Sequence, residues 1–460
     1  GQSPFSYLRK QSLSDWMKVL THGKISAMRS NGILACDRRN YLDSFFILRK
    51  DDLRSMNTAE NIKKQKFLGK KGMVLFITLM NMFIPLSTDL YLPALPTMST
   101  HFDASASLVN LTLVSFFFFF AIGTILLGPL CDKYGRRKVL LISSAMYTLA
   151  SASCALSPNV YVMIAARVFQ GISAGGIISA STVLVKDCFA GRQRETILAV
   201  VQSASGLAPM LAPVLGALLL QITDWRGAFE VLTLAGLIVF VLSFLYQETL
   251  PEEERLTESA FASLGKLVTV GKNMGFFVPC IIFSLYNFAF MGYISVSSYI
   301  YVDFFGLSEQ MYSYFFAVNA LVSLLGPVIY VRFLTKMSKQ KLIYTCFFGY
   351  IVAGAILLCF GQIMPLLFWI GFAPFTFFGS LIRPLSSNLL LEQQKGDTGS
   401  ASSLLNGIFT VIGSVGMMAV SAASNGVFAL GVVVLASGVI SVLGWTLLMR
   451  SKITIVGVKE

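Results

Sequence analysis

Two long stretches without a charge, Ala104–Cys131 and Val139–Ala166, are separated by only seven residues, DKYGRRK. An uncharged, apolar run longer than about 18 residues reads as a membrane-spanning helix. The segment Gly128–Lys138, GPLCDKYGRRK, is therefore a short basic turn pinned between two spans. Within it Asp132 suits the end of one helix or the start of the next, and Gly135 permits a turn that a β-carbon would obstruct. Arg136, Arg137 and Lys138 favour the cytoplasmic side by the positive-inside rule.

The rest of the chain repeats this pattern. Hydrophobic residues make up 55% and charged residues 13%, with a mean hydropathy of +0.71, which no water-soluble globule of 460 residues matches. Charge-free runs predict twelve spans near 73–94, 107–130, 138–156, 160–184, 197–221, 228–246, 275–301, 312–333, 342–361, 366–391, 398–422 and 427–449. The expected fold class is all-α: a polytopic membrane protein with twelve transmembrane helices in two six-helix, pseudo-symmetric bundles. Turn signals at Ser157-Pro158-Asn159 and Ser424-Asn425-Gly426 separate paired spans.

A net charge of +13 would suggest nucleic acid in a soluble protein. Here the Lys and Arg lie in short loops between apolar runs, which reads as an inner-leaflet bias and gives nucleic acid no role. Among the odd-numbered loops only Arg226 occurs, whereas the even-numbered loops carry Lys133, Lys186, Arg192, Arg255, Lys272, Lys339, Lys395 and others. Both termini are expected in the cytoplasm. The seven cysteines are scattered without a CxxC spacing and there are two histidines, so no metal site or cofactor is expected.

The longest charged connection, 247–274, divides the spans six and six. The expected organisation is a cytoplasmic segment at 56–72, bundles at 73–246 and 275–449 joined by that cytoplasmic linker, and a tail at 450–460. Gly326-Pro327 with the following Arg332, Lys336, Lys339 and Lys341 is a degraded echo of Gly128-Pro129 and its basic turn, lacking the Asp and Gly. Six-helix halves related by a repeat are a common plan for secondary transporters. Residues 1–55 carry ten Lys or Arg and no apolar span. Met56 reads as a natural start, with 1–55 as upstream, non-native or disordered sequence.

From Met73 to Leu448 the chain resembles the major facilitator superfamily, and within it the bicyclomycin/chloramphenicol-resistance branch of twelve-helix drug:proton antiporters. GPLCDKYGRRK is similar to the superfamily's loop between the second and third spans, and Arg167–Gly176, RVFQGISAGG, to its fourth-span pattern with a buried arginine. Gly206–Leu219, GLAPMLAPVLGALL, resembles the fifth-span antiporter motif, with Ala-Pro where Gly-Pro is usual; Ser87–Met98, STDLYLPALPTM, points to the branch. The resemblance implies alternating access in a bacterial inner or cytoplasmic membrane, a monomer, drugs and protons as partners besides lipid, and a cavity lined by the first, fourth, seventh and tenth spans.

Charges inside a bilayer are costly and usually face a bundle interior or a water-filled cavity. Three ionisable residues lie well inside the spans: Asp89, Arg167 and Arg383. By helix rise Asp89 sits about 24 Å from the inner end of its span and Arg167 about 10 Å from the outer end of its own, so a water-linked pair is geometrically open. Asp89 is the one carboxylate well inside a span and the expected coupling group, with Arg167 beside it; an interfacial cap and a structural brace are the competing readings. In the seventh span Tyr286, Asn287 and Tyr293 offer a polar aromatic surface, and Arg383 and Asn388 of the tenth complete the cavity candidates. Plain packing is the alternative for the aromatics, as snorkelling is for Arg383. Gly206, Pro209, Pro213 and Gly216 share one face of the fifth span, where bending and close approach could seal the halves.

These residues make a proton-coupled exporter of amphipathic small molecules the leading expectation. The alternatives are an importer of a sugar, amino acid or organic anion, and a membrane receptor without transport. No P-loop, metal cluster or nucleophile–base pairing suggests an enzyme.

Overall fold

A computed structural model describes residues 65, 67–189, 191–255, 260–335, 337–394 and 398–458. The segment 1–55, Lys336 and Lys395 lie outside these residues. Twelve helices among them are long and apolar enough to cross a membrane: Gly69–Phe102, Ala106–Tyr134, Arg136–Ala155, Val160–Val185, Thr196–Leu220, Arg226–Leu245, Met274–Phe304, Glu309–Leu334, Lys339–Phe360, Pro365–Glu392, Ser400–Ser421 and Gly426–Arg450. They are called the first to twelfth spans below. No β-sheet forms among the described residues. Helices satisfy every backbone group within their own segment, as a hydrocarbon environment demands, and exposed Leu, Ile, Val and Phe side chains cover the lipid-facing surfaces.

Asn159 and Asn425, read in sequence as turn residues, cap the fourth and twelfth spans by accepting hydrogen bonds from the Val162 and Phe428 amides. Ser105 and Ser308 do the same for the second and eighth spans. One expectation changes. The first span does not end near residue 94: its α-helix stops at Asp89, a 3-10 turn covers Leu92–Ala94, and a short helix runs on over Leu95–Phe102. Pro93 and Pro96 occupy first-turn positions of these two pieces, where a missing N–H needs no partner. Within the connection 247–274, Ala260–Gly271 forms a helix packed on the second and eleventh spans.

Each half is knit by glycine contacts. A β-carbon on Gly171 would lie 2.4 Å from the Phe116 carbonyl oxygen, and one on Gly175 would lie 2.5 Å from the Thr124 amide nitrogen. The second and fourth spans therefore touch backbone to backbone, which only small residues permit. In the other half Gly416 brings the eleventh span equally close to the Phe288 carbonyl of the seventh.

The halves meet along two seams, the second span against the eleventh and the fifth against the eighth. Among the described residues, five hydrogen bonds cross between them at or near the end opposite the basic loops. Ser107 Oγ donates to the Ser421 carbonyl (2.5 Å), Gln221 Nε2 to Gln310 Oε1 (2.6 Å) and Ser313 Oγ to the Pro213 carbonyl (2.9 Å). The Tyr299 hydroxyl lies 3.0 Å from Ser99 Oγ and donates to the Leu95 carbonyl at 3.3 Å, tying the short helix of the first half to the seventh span.

Gly175→Ala should lower the melting temperature of the purified protein, with a loss of about 1–3 kcal/mol, because backbone atoms cannot yield as a side chain would. Gly265→Ala, where a β-carbon meets open space, is the control and should leave it unchanged or slightly raised. Equal melting temperatures for Gly175→Ala and wild type would rule out the close second-to-fourth-span contact.

Candidate functional site

Asp89 is the last residue of its α-helix and is 5% exposed. Its Oδ1 accepts a hydrogen bond from Thr88 Oγ1 at 3.0 Å, and among the described residues it makes no ion pair. The turn that follows, Leu92–Ala94, packs on the seventh and eighth spans of the opposite half. The Leu90 carbonyl is covered by Gly216 of the fifth span, where a β-carbon would fall 1.8 Å from the oxygen. The carboxylate thus sits where the first span breaks, beside the boundary between halves.

Arg167, fully buried, does not reach it. Its Nε donates to the Thr112 carbonyl (3.0 Å), Nη1 to the Ser87 carbonyl (2.9 Å) and to Gln170 Oε1, and Nη2 to the Tyr91 hydroxyl (3.3 Å). The guanidinium carbon lies 4.3 Å from the ring centre of Phe116 and 4.9 Å from that of Tyr91. Phe116, the first of the five consecutive phenylalanines, faces this charge and not lipid. Gln170 Nε2 donates to Ser151 Oγ at 2.7 Å, and Ser87 Oγ meets the Tyr147 hydroxyl. Four spans thereby converge on one cation. Arg167 is connected to Asp89 through the Ser87 carbonyl, two residues before it.

In the second half Tyr286 and Tyr293 belong to a continuous aromatic stack. The Tyr293 ring centre lies 4.0 Å from that of Phe372, and Tyr286 stacks on Phe290 at 5.4 Å and Tyr350 at 6.1 Å. Gly379 of the tenth span leaves room for the Tyr286 ring, which a β-carbon there would approach to 1.8 Å. The Tyr350 hydroxyl is buried without a hydrogen-bond partner among the described residues. Asn287 is 8% exposed, whereas Arg383 and Asn388 are exposed, with Arg383 in electrostatic range of Tyr286.

The basic turn forms a second polar centre. Gly135 has φ +95°, and a β-carbon would lie 2.5 Å from Glu248 Oε2, so both the turn and the space require glycine. Arg136 pairs with Asp132 at 2.7 Å and with Asp187 at 3.3 Å, while Arg137 Nη2 donates to the Phe244 carbonyl at 2.8 Å. Glu248 accepts from the backbone amides of Arg136, Arg137, Thr249 and Leu250. These partners come from the first half and from the start of the linker, Glu248–Leu250, so among the described residues the network ties the linker to that half. Gly128 of the same motif lies near Ser179 of the fourth span. Sequence reasoning missed Asp187 and Glu248, although both are carboxylates at span ends on the basic side, the signal that could have found them.

Along the fifth span Gly216 faces the first span, Gly206 would place a β-carbon 2.9 Å from Leu324 of the eighth, and the carbonyl of Pro213 receives Ser313. Pro209 lies within the same helix. The motif therefore touches both the Asp89 segment and the other half.

Arg167→Lys keeps the charge but loses the planar fork that serves four acceptors at once. It should cost at least tenfold in transport and lower the melting temperature by several degrees. A lysine variant with wild-type transport and stability would remove Arg167 from any part beyond charge.

The comparisons agree with this architecture. The model of the Major Facilitator Superfamily matches residues 77–417. An uncharacterized MFS-type transporter, YdgK of Bacillus subtilis, is 32% identical over 336 residues, covering 72% of this chain and 84% of its own. A bicyclomycin resistance protein homolog of Haemophilus influenzae is 24% identical, covering 74% and 87%. Among solved structures, the human organic anion transporter MFSD10 (TM-score 0.60, 19% identity, covering 82% and 98%) and a D-xylose-proton symporter (0.61, 16%, covering 80% and 96%) share the fold. The chain is a multi-pass membrane protein that belongs to the Major Facilitator Superfamily, a family of small-molecule transporters and not of catalysts.

Proposed function

We propose that this chain couples the movement of a small molecule to that of protons by alternating access, with Asp89 carrying the proton. The observation that carries the reading is a buried carboxylate without a cationic partner among the described residues, placed where the first span breaks beside the other half. A lone carboxylate in an apolar interior is costly while ionised. In the proposed cycle Asp89 takes up a proton in one state of the halves and gives it up when water or a substrate cation reaches it. Motion of the halves would supply that change. By the Lys and Arg bias the basic end faces the cytoplasm, which makes the hydrogen-bonded end the outer one and the described state closed outward.

Two directions of substrate movement are compatible with this machinery. Uptake of a metabolite such as a sugar or organic anion is supported at least as well as export, because the D-xylose-proton symporter and the organic anion transporter share the fold. Export of amphipathic drugs is supported by the antiporter-like fifth span and by relatives named for drug resistance. The aromatic stack beside Tyr286 suits flat ligands in either case.

The coupling is tested by adding substrate to detergent-purified protein and measuring proton release or uptake. Wild type should exchange protons with substrate, and Asp89→Asn should fold normally yet exchange none; an unchanged proton signal in that variant would move the coupling site elsewhere. Direction is read in cells treated with an uncoupler. Collapse of the gradient should raise accumulation for an exporter and lower it for an importer.

A further inference from the structure

One turn of the fifth span touches both halves beside Asp89. Gly216 covers the Leu90 carbonyl, and the Pro213 carbonyl accepts from Ser313 Oγ of the eighth span at 2.9 Å. The stretch Pro213–Gly216 thus meets the residue after Asp89 in one half and the residue after Tyr312 in the other. The turn Leu92–Ala94 packs on the seventh and eighth spans as well. Tyr312 is fully buried, and its phenol lies within electrostatic range of the Asp89 carboxyl across the boundary.

The hydrogen bonds of this phenol have a direction. Its hydroxyl lies 3.1 Å from Ser297 Oγ, and Ser297 Oγ gives its own hydrogen to the Ile294 carbonyl at 3.3 Å. Ser297 therefore accepts from Tyr312, which commits the phenol's hydrogen to the second half and leaves its oxygen lone pairs unused. On the other side, Asp89 Oδ1 accepts from Thr88, and Oδ2 takes no hydrogen bond among the described residues. The other titratable or charged groups on the spans packed here are engaged elsewhere or lie toward the surface. Arg167 and Tyr147 hold Ser87, Tyr91 meets Arg167 and Thr112, and Tyr299 bonds to Ser99 and Leu95. Glu230 and Asp303 are exposed, and Glu309 is half-buried one turn before Tyr312. The fifth span adds none between Pro213 and Gly216.

We propose that Tyr312 is the partner the second half presents to Asp89: its free lone pair accepts, through one bridging water, the hydrogen bond that the protonated carboxyl donates. The inference rests on the reading of Asp89 as proton carrier and names what holds the proton there. An acceptor favours the neutral acid, because a carboxylate has no hydrogen to give. A water-mediated bond is nearly as good as a direct one. No proton leaves Tyr312 or Ser297; both stay neutral, and only Asp89 titrates. Carboxyl and phenol stand on opposite halves, so the bond exists only while this end is closed. Parting the halves withdraws the acceptor, and the proton affinity of Asp89 then differs between the two states. Tyr312 is in this sense a positioning residue for the proton.

The test needs no substrate, because the proton is the probe. Purified full-length protein is titrated with acid and base while the infrared C=O stretch of protonated carboxyls is recorded. The band that Asp89→Asn lacks belongs to Asp89. Tyr312→Phe should shift the frequency of that band and lower its pH midpoint by half a unit or more, about threefold in proton affinity. Ser297→Ala frees the phenol O–H to serve the carboxylate and should lower the midpoint as well. Tyr301→Phe removes a fully buried phenol whose ring centre lies 5.9 Å from that of Tyr312, and it should change neither reading. An unchanged or raised midpoint in Tyr312→Phe, or an equal shift in Tyr301→Phe, overturns the inference and leaves Asp89 as proton carrier. If Tyr312→Phe does not fold, Ser297→Ala decides, and an unmoved midpoint there overturns the inference too. A wild-type spectrum without an Asp89 band would overturn the proton-carrier reading along with it.

Discussion

A guanidinium with no carboxylate beside it, deep in a helical bundle, is the constraint from which much of the first half follows. An unpaired arginine at membrane depth costs several kcal/mol. Arg167 offsets that cost with two main-chain carbonyls, an amide oxygen, a phenol and the faces of two aromatic rings. Hydrogen bonds to a charged group contribute about 1.5–3 kcal/mol each, and a desolvated cation–π contact about 2 kcal/mol. Because the acceptors come from different spans, the charge is tolerated only if those spans keep their mutual register. The same demand fixes Ser87, and with it the helix turn that presents Asp89.

Much of this was legible beforehand, and what was not has a common cause. The twelve spans follow from charge-free runs, because hydrocarbon tolerates little else over that length. The glycine of the basic turn was legible as well: a residue with φ +95° pressed against Glu248 has few substitutes. The clamp around Arg167 left no comparable trace, since two of its acceptors are main-chain carbonyls, and every residue has one. The break after Asp89 was hidden for a related reason. Pro93 sits equally well within an apolar run and at the head of a short 3-10 turn, and hydropathy does not separate the two. Asp132 and Arg136 were visible as members of one turn, but the reach of the arginine to Asp187 depends on how the fourth span packs against the third.

The polar networks are distributed unequally. The first half carries two polar networks, one around Arg167 and one, shared with the start of the linker, around Arg136 and Glu248. The second half is held largely by stacked rings, and its buried Tyr350 and Thr376 hydroxyls have no hydrogen-bond partner among the described residues. Directional bonds resist deformation over short distances, whereas stacked rings slide with a smaller penalty.

The fifth span draws these properties together. Its Gly216 rests on the Leu90 carbonyl, immediately after Asp89, and its opposite contacts, Gly206 on Leu324 and Pro213 on Ser313, belong to the seam with the other half. In the proposed cycle a helix held at such close range on both sides would act as a rocker: tilting it to follow the eighth span would press on the peptide unit that follows the carboxylate. Proton affinity at Asp89 and the angle between the halves would then be two readings of one mechanical coordinate.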